Sequence, residues 1–143
     1  MDPDLEQLRD FARRYTAAWC SQNAASVAAF YSASGSLTIS DGPAAVGRGP
    51  ITEAAQAFMT AFPDMQVVMD GVGVEGGTSI FRWTLIGTNT GAGGTGARVR
   101  ISGYEEWTIG DDGLIAESRG HFDTADYRRQ LSSVLITAGR TRQ

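Results

Sequence analysis

The sequence predicts an α+β fold. Helical periodicity fills the first half of the chain, strand-like alternation fills the second, and no linker or internal repeat divides them. At 143 residues there is room for about one domain. With 42% hydrophobic and 20% charged residues, the chain has the composition of one that buries a core rather than one that stays disordered.

Leu5, Leu8, Phe11, Ala12, Tyr15 and Trp19 recur at steps of three and four, which predicts a long first helix with one apolar stripe; Asp2 and Pro3 suit its start. A short second helix carries Val27, Phe30 and Tyr31, and Ser36 to Ser40 reads as a brief strand. Gly49 and Pro50 open a third helix with its stripe on Ile51, Ala54, Ala55, Phe58 and Phe62, and Pro63 stops it. Strands follow at about 66–74, 79–88, 98–109 and 114–122, joined by a tight turn at Gly76-Gly77 and a longer one at 110–113. The glycine-rich stretch 89–96 reads as a mobile loop; it holds no basic residue and no helix follows, so it is poor as a phosphate loop. A short last helix runs from Thr124 through Tyr127 and Leu131. The domain therefore spans 1–132, with 133–143 expected to be a disordered tail. Helices followed by a strongly curved antiparallel sheet make a cone, with a pocket at its open end.

Counting residue types excludes several chemistries. All twelve basic residues are arginine, which removes lysine Schiff bases, P-loops and Ser-Lys dyads. Cys20 and His121 each stand alone, so no disulfide within the chain, no thiolate zinc site and no two-histidine metal motif can form. Cofactor-free chemistry gains weight and no metal is expected, a carboxylate-rich site being the one metal alternative that the counts leave open. A net charge of -4 argues against a nucleic-acid surface. The acidic start has no apolar run, so neither a signal peptide nor a membrane anchor is expected, and a cytoplasmic location follows.

The strand ending at Asp123 splits by alternation into two rows. One holds Ile115, Glu117, Arg119, His121 and Asp123; the other holds Leu114, Ala116, Ser118, Gly120 and Phe122. The ionisable row has two readings: a solvated face, or a polar floor facing the pocket, where desolvation tunes Asp123 as an acid or base and His121 shares its proton or donates to substrate. Asp123 also suits the cap of the last helix, with Asp126 three positions on. If Ile109 pairs with Ile115, Glu105 falls opposite Arg119 and the two neutralise each other; Glu105 opposite Ser118 would mark a shift by one. Tyr15, Trp19, Phe58, Phe62, Phe81, Trp83 and Trp107 supply enough rings to line a pocket for a polycyclic substrate, and each also suits ordinary core packing.

One family shares this order of features. Ala61-Phe-Pro-Asp64, Phe81-Arg-Trp-Thr-Leu-Ile-Gly-Thr-Asn-Thr-Gly91, Gly94-Thr-Gly96, Ser102-Gly103 with Trp107, Asp112-Gly-Leu-Ile-Ala-Glu117 and Gly120-His-Phe-Asp123 come in sequence. Over about Phe11 to Leu131 the chain resembles the SnoaL-like polyketide cyclases of the NTF2-like superfamily. That resemblance implies a cofactor-free cone, pairing of two copies through the outer sheet face, and an intramolecular aldol condensation on a hydrophobic carbonyl compound. It places the proton-transferring aspartate at Asp123. Asn89 stands where related sequences carry histidine and Arg119 where many carry an aromatic residue; both join the substrate-binding set. The same scaffold also implies, as alternatives, a ketosteroid-isomerase-like proton transfer, an epoxide hydrolysis, or a binding or dimerisation module without catalysis.

Overall fold

The computed structural model describes the backbone of residues 3–141 and the side chains of residues 5–132. Helix α1 (Pro3–Cys20) follows the predicted stripe, with Ala12, Tyr15 and Trp19 turned into the core. Helix α2 (Ala24–Ala28) ends before Phe30 and Tyr31, which the sequence reading had placed in it. Tyr31 instead opens strand β1 (Tyr31–Ile39). A two-residue strand β2 (Ala45–Val46) precedes α3 (Arg48–Ala61), and Pro50 sits in the first turn of α3, where its missing N–H costs no intrahelical bond.

Strands β3 (Gln66–Glu75), β4 (Thr78–Thr88), β5 (Arg98–Ile109) and β6 (Ile115–Phe122) lie within a residue or so of their predicted limits. Gly76 and Gly77 take φ of 57° and 82°, the left-handed pair that a two-residue hairpin with the native twist requires. The sheet is six-stranded, curved and unclosed, in the order β2-β1-β6-β5-β4-β3. It is not wholly antiparallel as expected, because β1 and β6 run parallel. Helix α1 lies on the inner face, where Phe11 and Tyr15 meet Trp107 and Tyr15 meets Phe81.

Loop 89–96 is pinned rather than free. Asn89 accepts the Thr95 backbone N–H on Oδ1 (2.8 Å), donates from Nδ2 to the Ala61 carbonyl (3.2 Å), and closes the loop through its own backbone with Ala97 and Gly96. Helix α4 (Thr124–Thr141) is longer than predicted. The expected disordered tail, 133–143, has its side chains outside the described residues. The Gln130 amide bonds both backbone groups of Arg100, accepting from its N–H (2.7 Å) and donating to its carbonyl (3.0 Å). This happens just where β6, last paired at Gly103↔Phe122, no longer accompanies β5. No helix among the described residues is long and apolar enough to cross a membrane.

Candidate functional site

The inner face of the sheet encloses a hollow of about 60 Å³ between α1, α3, α4 and strands β1 and β3–β6. Of the residues predicted to meet a substrate, Trp19, Phe58, Phe81, Trp83 and Glu105 line it. Drug-sized ligands occupy roughly 300–1,000 Å³. As it stands, the hollow is smaller than that range.

Glu105 is the one carboxyl on that lining, and it is 7% exposed. Tyr15 Oη (2.9 Å), Trp107 Nε1 (2.9 Å) and Ser118 Oγ (2.7 Å) all donate to its Oε1. With Tyr15 committed to the carboxyl, the Tyr31 hydroxyl donates to Tyr15 Oη at 2.8 Å. No described side chain donates to Oε2, which leaves this oxygen free to meet a ligand. Burial pushes the Glu105 carboxyl above its usual range, and the three donors oppose that rise by favouring the carboxylate. Burial also drives the Tyr15 and Tyr31 phenols well up, with the neighbouring Glu105 charge adding to the effect. Opposite Glu105 stands Gly120, whose missing side chain leaves the space beside the carboxyl open.

The alternation argument misplaces the rest because β6 carries a bulge. Thr108 pairs with Glu117 and Ile109 with Ile115, so Ala116 has no partner opposite. One extra residue reverses which side chains face inward. Ile115 is buried, and beyond the bulge Ser118, Gly120 and Phe122 take the inner face. Glu117, Arg119 and His121 turn outward. His121 stacks on Tyr104 (4.7 Å between ring centres) with Nε2 2.7 Å from Glu106 Oε1. Arg119 is exposed, stands opposite Glu106 in the ladder and lies 3.9 Å from the Glu117 carboxylate, so the expected Glu105–Arg119 pair does not form. Asp123 is exposed, and its Oδ1 accepts the Asp126 backbone N–H at 3.0 Å. It caps α4 and does not face the hollow, which corrects its expected place inside the cone.

Four further expectations are corrected in the same way. Asn89 spends its side chain on the loop it closes. Phe62 is fully buried against Tyr127 and Gly87. Tyr15 and Trp107 lie behind the lining, holding Glu105. Sequence reasoning missed Ser118, Tyr31, Phe122 and Tyr127. Ser118 and Phe122 belong to the row that was read as facing away, and a bulge in that strand would have restored them.

The family model for the SnoaL-like domain matches residues 12–118. The chain belongs to the SnoaL-like family. No curated protein matches this SnoaL-like chain in sequence. Among solved structures, it resembles a protein with a ketosteroid isomerase-like fold from Catenulispora acidiphila, in complex with trimethylamine, at 13% identity and a TM-score of 0.75, covering 85% of this chain and 92% of that one. It also resembles a candidate SnoaL-like polyketide cyclase from Jannaschia sp. (18% identity, TM-score 0.69, 86% and 92% covered). A phenazine biosynthesis-related protein from Pseudomonas aeruginosa is similar too (17% identity, TM-score 0.71, 90% of each chain covered). At these identities the likeness shows that the SnoaL-like chain has the NTF2-like, ketosteroid isomerase-like fold.

Proposed function

We propose that this SnoaL-like domain is a cofactor-independent acid/base enzyme acting on a compact hydrophobic carbonyl compound, with Glu105 and not Asp123 exchanging the proton. The observation that carries this reading is the position of Glu105: a single carboxyl at the wall of an apolar hollow, with one oxygen held by three donors and the other free. In the cyclase form, the carboxylate takes a proton from the carbon beside the substrate carbonyl. The enolate carbon bonds to a second carbonyl carbon, and the resulting alkoxide recovers the proton from Glu105. Atoms and charge balance with no further reactant. The tyrosine bonded to Glu105 favours isomerisation as a second reading, in which the proton returns to a different carbon. The trimethylamine bound in the Catenulispora relative fits a cone that takes small molecules.

Proton exchange can be read without knowing the natural substrate. In D2O the wild-type chain is expected to accelerate exchange of the α-protons of cyclohexanone, followed by NMR. Glu105→Gln should lose about 10²–10⁴ of that rate, the usual worth of a positioned acid or base, while Asp123→Asn, which can still cap α4, should keep it within about twofold. No acceleration by the wild-type chain, or full activity in Glu105→Gln, rejects the proposal.

The same family reading includes a homodimer formed through the outer sheet face, where Val68 and Tyr104 are exposed. Sedimentation equilibrium should return twice 15.2 kDa; a monomer at tens of micromolar removes that assignment.

A further inference from the structure

The Glu105 carboxyl is buried without a positive charge to match it. Taking a carboxylate out of water is costly, and buried charges are as a rule paired with a charge of opposite sign. The three groups that hold Oε1 are a phenol, an indole and a hydroxyl, all neutral. The arginines on the flanking strands stand on the outer face: Arg82 of β4 is exposed and pairs with Glu75, and Arg119 of β6 is exposed beside Glu117. Among the described residues no arginine lines the hollow.

The place a cation would take is defined. Glu105 stands between Phe81 of β4 and Gly120 of β6, and all three line the hollow. Gly120 puts no side chain beside the carboxyl, and Oε2 is the oxygen left over. Around it the wall is hydrocarbon, with Trp19, Phe58 and Phe122 among its rings and Leu37 and Ile101 among its aliphatic chains. Such walls cannot replace the water shell of a hard metal ion, which takes about six oxygen ligands. Among the described residues no group of three His, Cys, Asp or Glu side chains could hold a metal. An alkylammonium ion asks for less: its hydrocarbon part gains by leaving water, its charge answers the carboxylate, and its N–H groups have an acceptor in Oε2.

We propose that the hollow binds a small alkylammonium ion, with the nitrogen against Glu105 Oε2 and the hydrocarbon against the apolar wall. The inference rests, as the acid/base reading does, on Glu105 facing the hollow, and it adds a second class of ligand that contends for the same oxygen. With the ammonium in place, Oε2 no longer takes a proton from carbon. The titration of Glu105 runs in the matching direction, since burial raises it and no neighbouring cation pulls it down. The other titratable groups around it, the phenols of Tyr15 on α1, Tyr31 on β1 and Tyr127 on α4, are all driven up by burial and stay neutral over the range tested.

The test compares tert-butylammonium with tert-butanol, which shares its skeleton and carries no charge, by ligand-observed NMR at pH 8 and pH 4. At pH 8 the wild-type chain should bind the ammonium about tenfold more tightly, the difference between a charge-assisted and a neutral hydrogen bond. At pH 4 the carboxyl is protonated while the ammonium, like a lysine side chain, keeps its charge, and the preference should fall to about twofold or less. Glu105→Gln, which retains an acceptor for the three donors, should show no preference at either pH. The pH comparison needs no variant and decides the matter if Glu105→Gln does not fold. Equal affinity for the two compounds at pH 8, binding of neither at tens of millimolar, a preference unchanged at pH 4, or one that survives Glu105→Gln overturns the proposal. The acid/base reading is scored separately, by cyclohexanone exchange. Exchange that Glu105→Gln abolishes, with no ammonium preference in the wild-type chain, leaves that reading standing and removes this one. An ammonium preference without exchange does the reverse.

Discussion

Replacing Glu105 with leucine is expected to lower the unfolding free energy by about 3–5 kcal/mol, the cost typical of removing one partner of a buried charged network. Leucine approximates the volume, but it leaves the Trp107 N–H and the Ser118 and Tyr15 hydroxyls without their acceptor. Each orphaned donor costs about 1–3 kcal/mol, and Tyr15 recovers part of its share by turning to Tyr31. Glu105→Gln keeps a carbonyl oxygen for the same three donors and should cost about 1 kcal/mol at neutral pH. The comparison also carries a pH signature. Because burial raises the folded-state value of this carboxyl, its contribution is complete below the ordinary carboxylate range and is lost as pH climbs through the raised value. The wild-type chain should therefore lose stability relative to Glu105→Gln over that interval, at no more than about 1.4 kcal/mol per pH unit. Asp64 and Asp112, held below the usual range by the backbone N–H groups of Thr88 and Leu114, titrate with the opposite sign but are common to both chains and cancel. Urea unfolding from pH 4 to 8 measures the difference. A flat difference would show that the folded-state value is not raised, and a Glu105→Leu loss under about 1 kcal/mol would show that the donors have other acceptors.

Trp107→Ala should cost a comparable 3–5 kcal/mol, roughly the range for truncating a buried large aromatic. Trp107 is fully buried, stacks on Phe81 at 5.0 Å and 13°, and meets Phe11 and Tyr15 edge-on. It also carries one of the three bonds to Glu105. Phe81 lines the hollow, so losing its backing opens a void next to that space. Trp107→Phe retains most of the ring contact and should lose about half as much or less. Unfolding midpoints for the two variants decide the matter; equal losses would place the whole effect in the hydrogen bond.

Much of this architecture was legible because local rules and burial agree. The stripe on α1 states a face that the folded chain uses, and the Gly76-Gly77 pair marks a turn that it makes. The site was legible only in part. Alternation from Ile115 was sound for one step and failed beyond it, since an unpaired Ala116 is a property of two strands meeting and leaves no mark in the sequence of one. That single residue moved His121 and Arg119 to the outer face and brought Ser118 to Glu105. The parallel pairing of β1 with β6 joins segments about 80 residues apart, beyond the reach of local patterning. Asn89 carried a polar signal that was real, but the loop itself answers it.

The amide of Gln130 has a consequence for how copies of this chain behave when concentrated. Where β6 stops, the β5 backbone would offer a free N–H and carbonyl to any passing extended segment, the template on which strands add and aggregates grow. By taking both groups of Arg100, a side chain from α4 removes that template at one point without needing another strand. The helix that lends Tyr127 to the hollow thus also covers one point of the β5 edge.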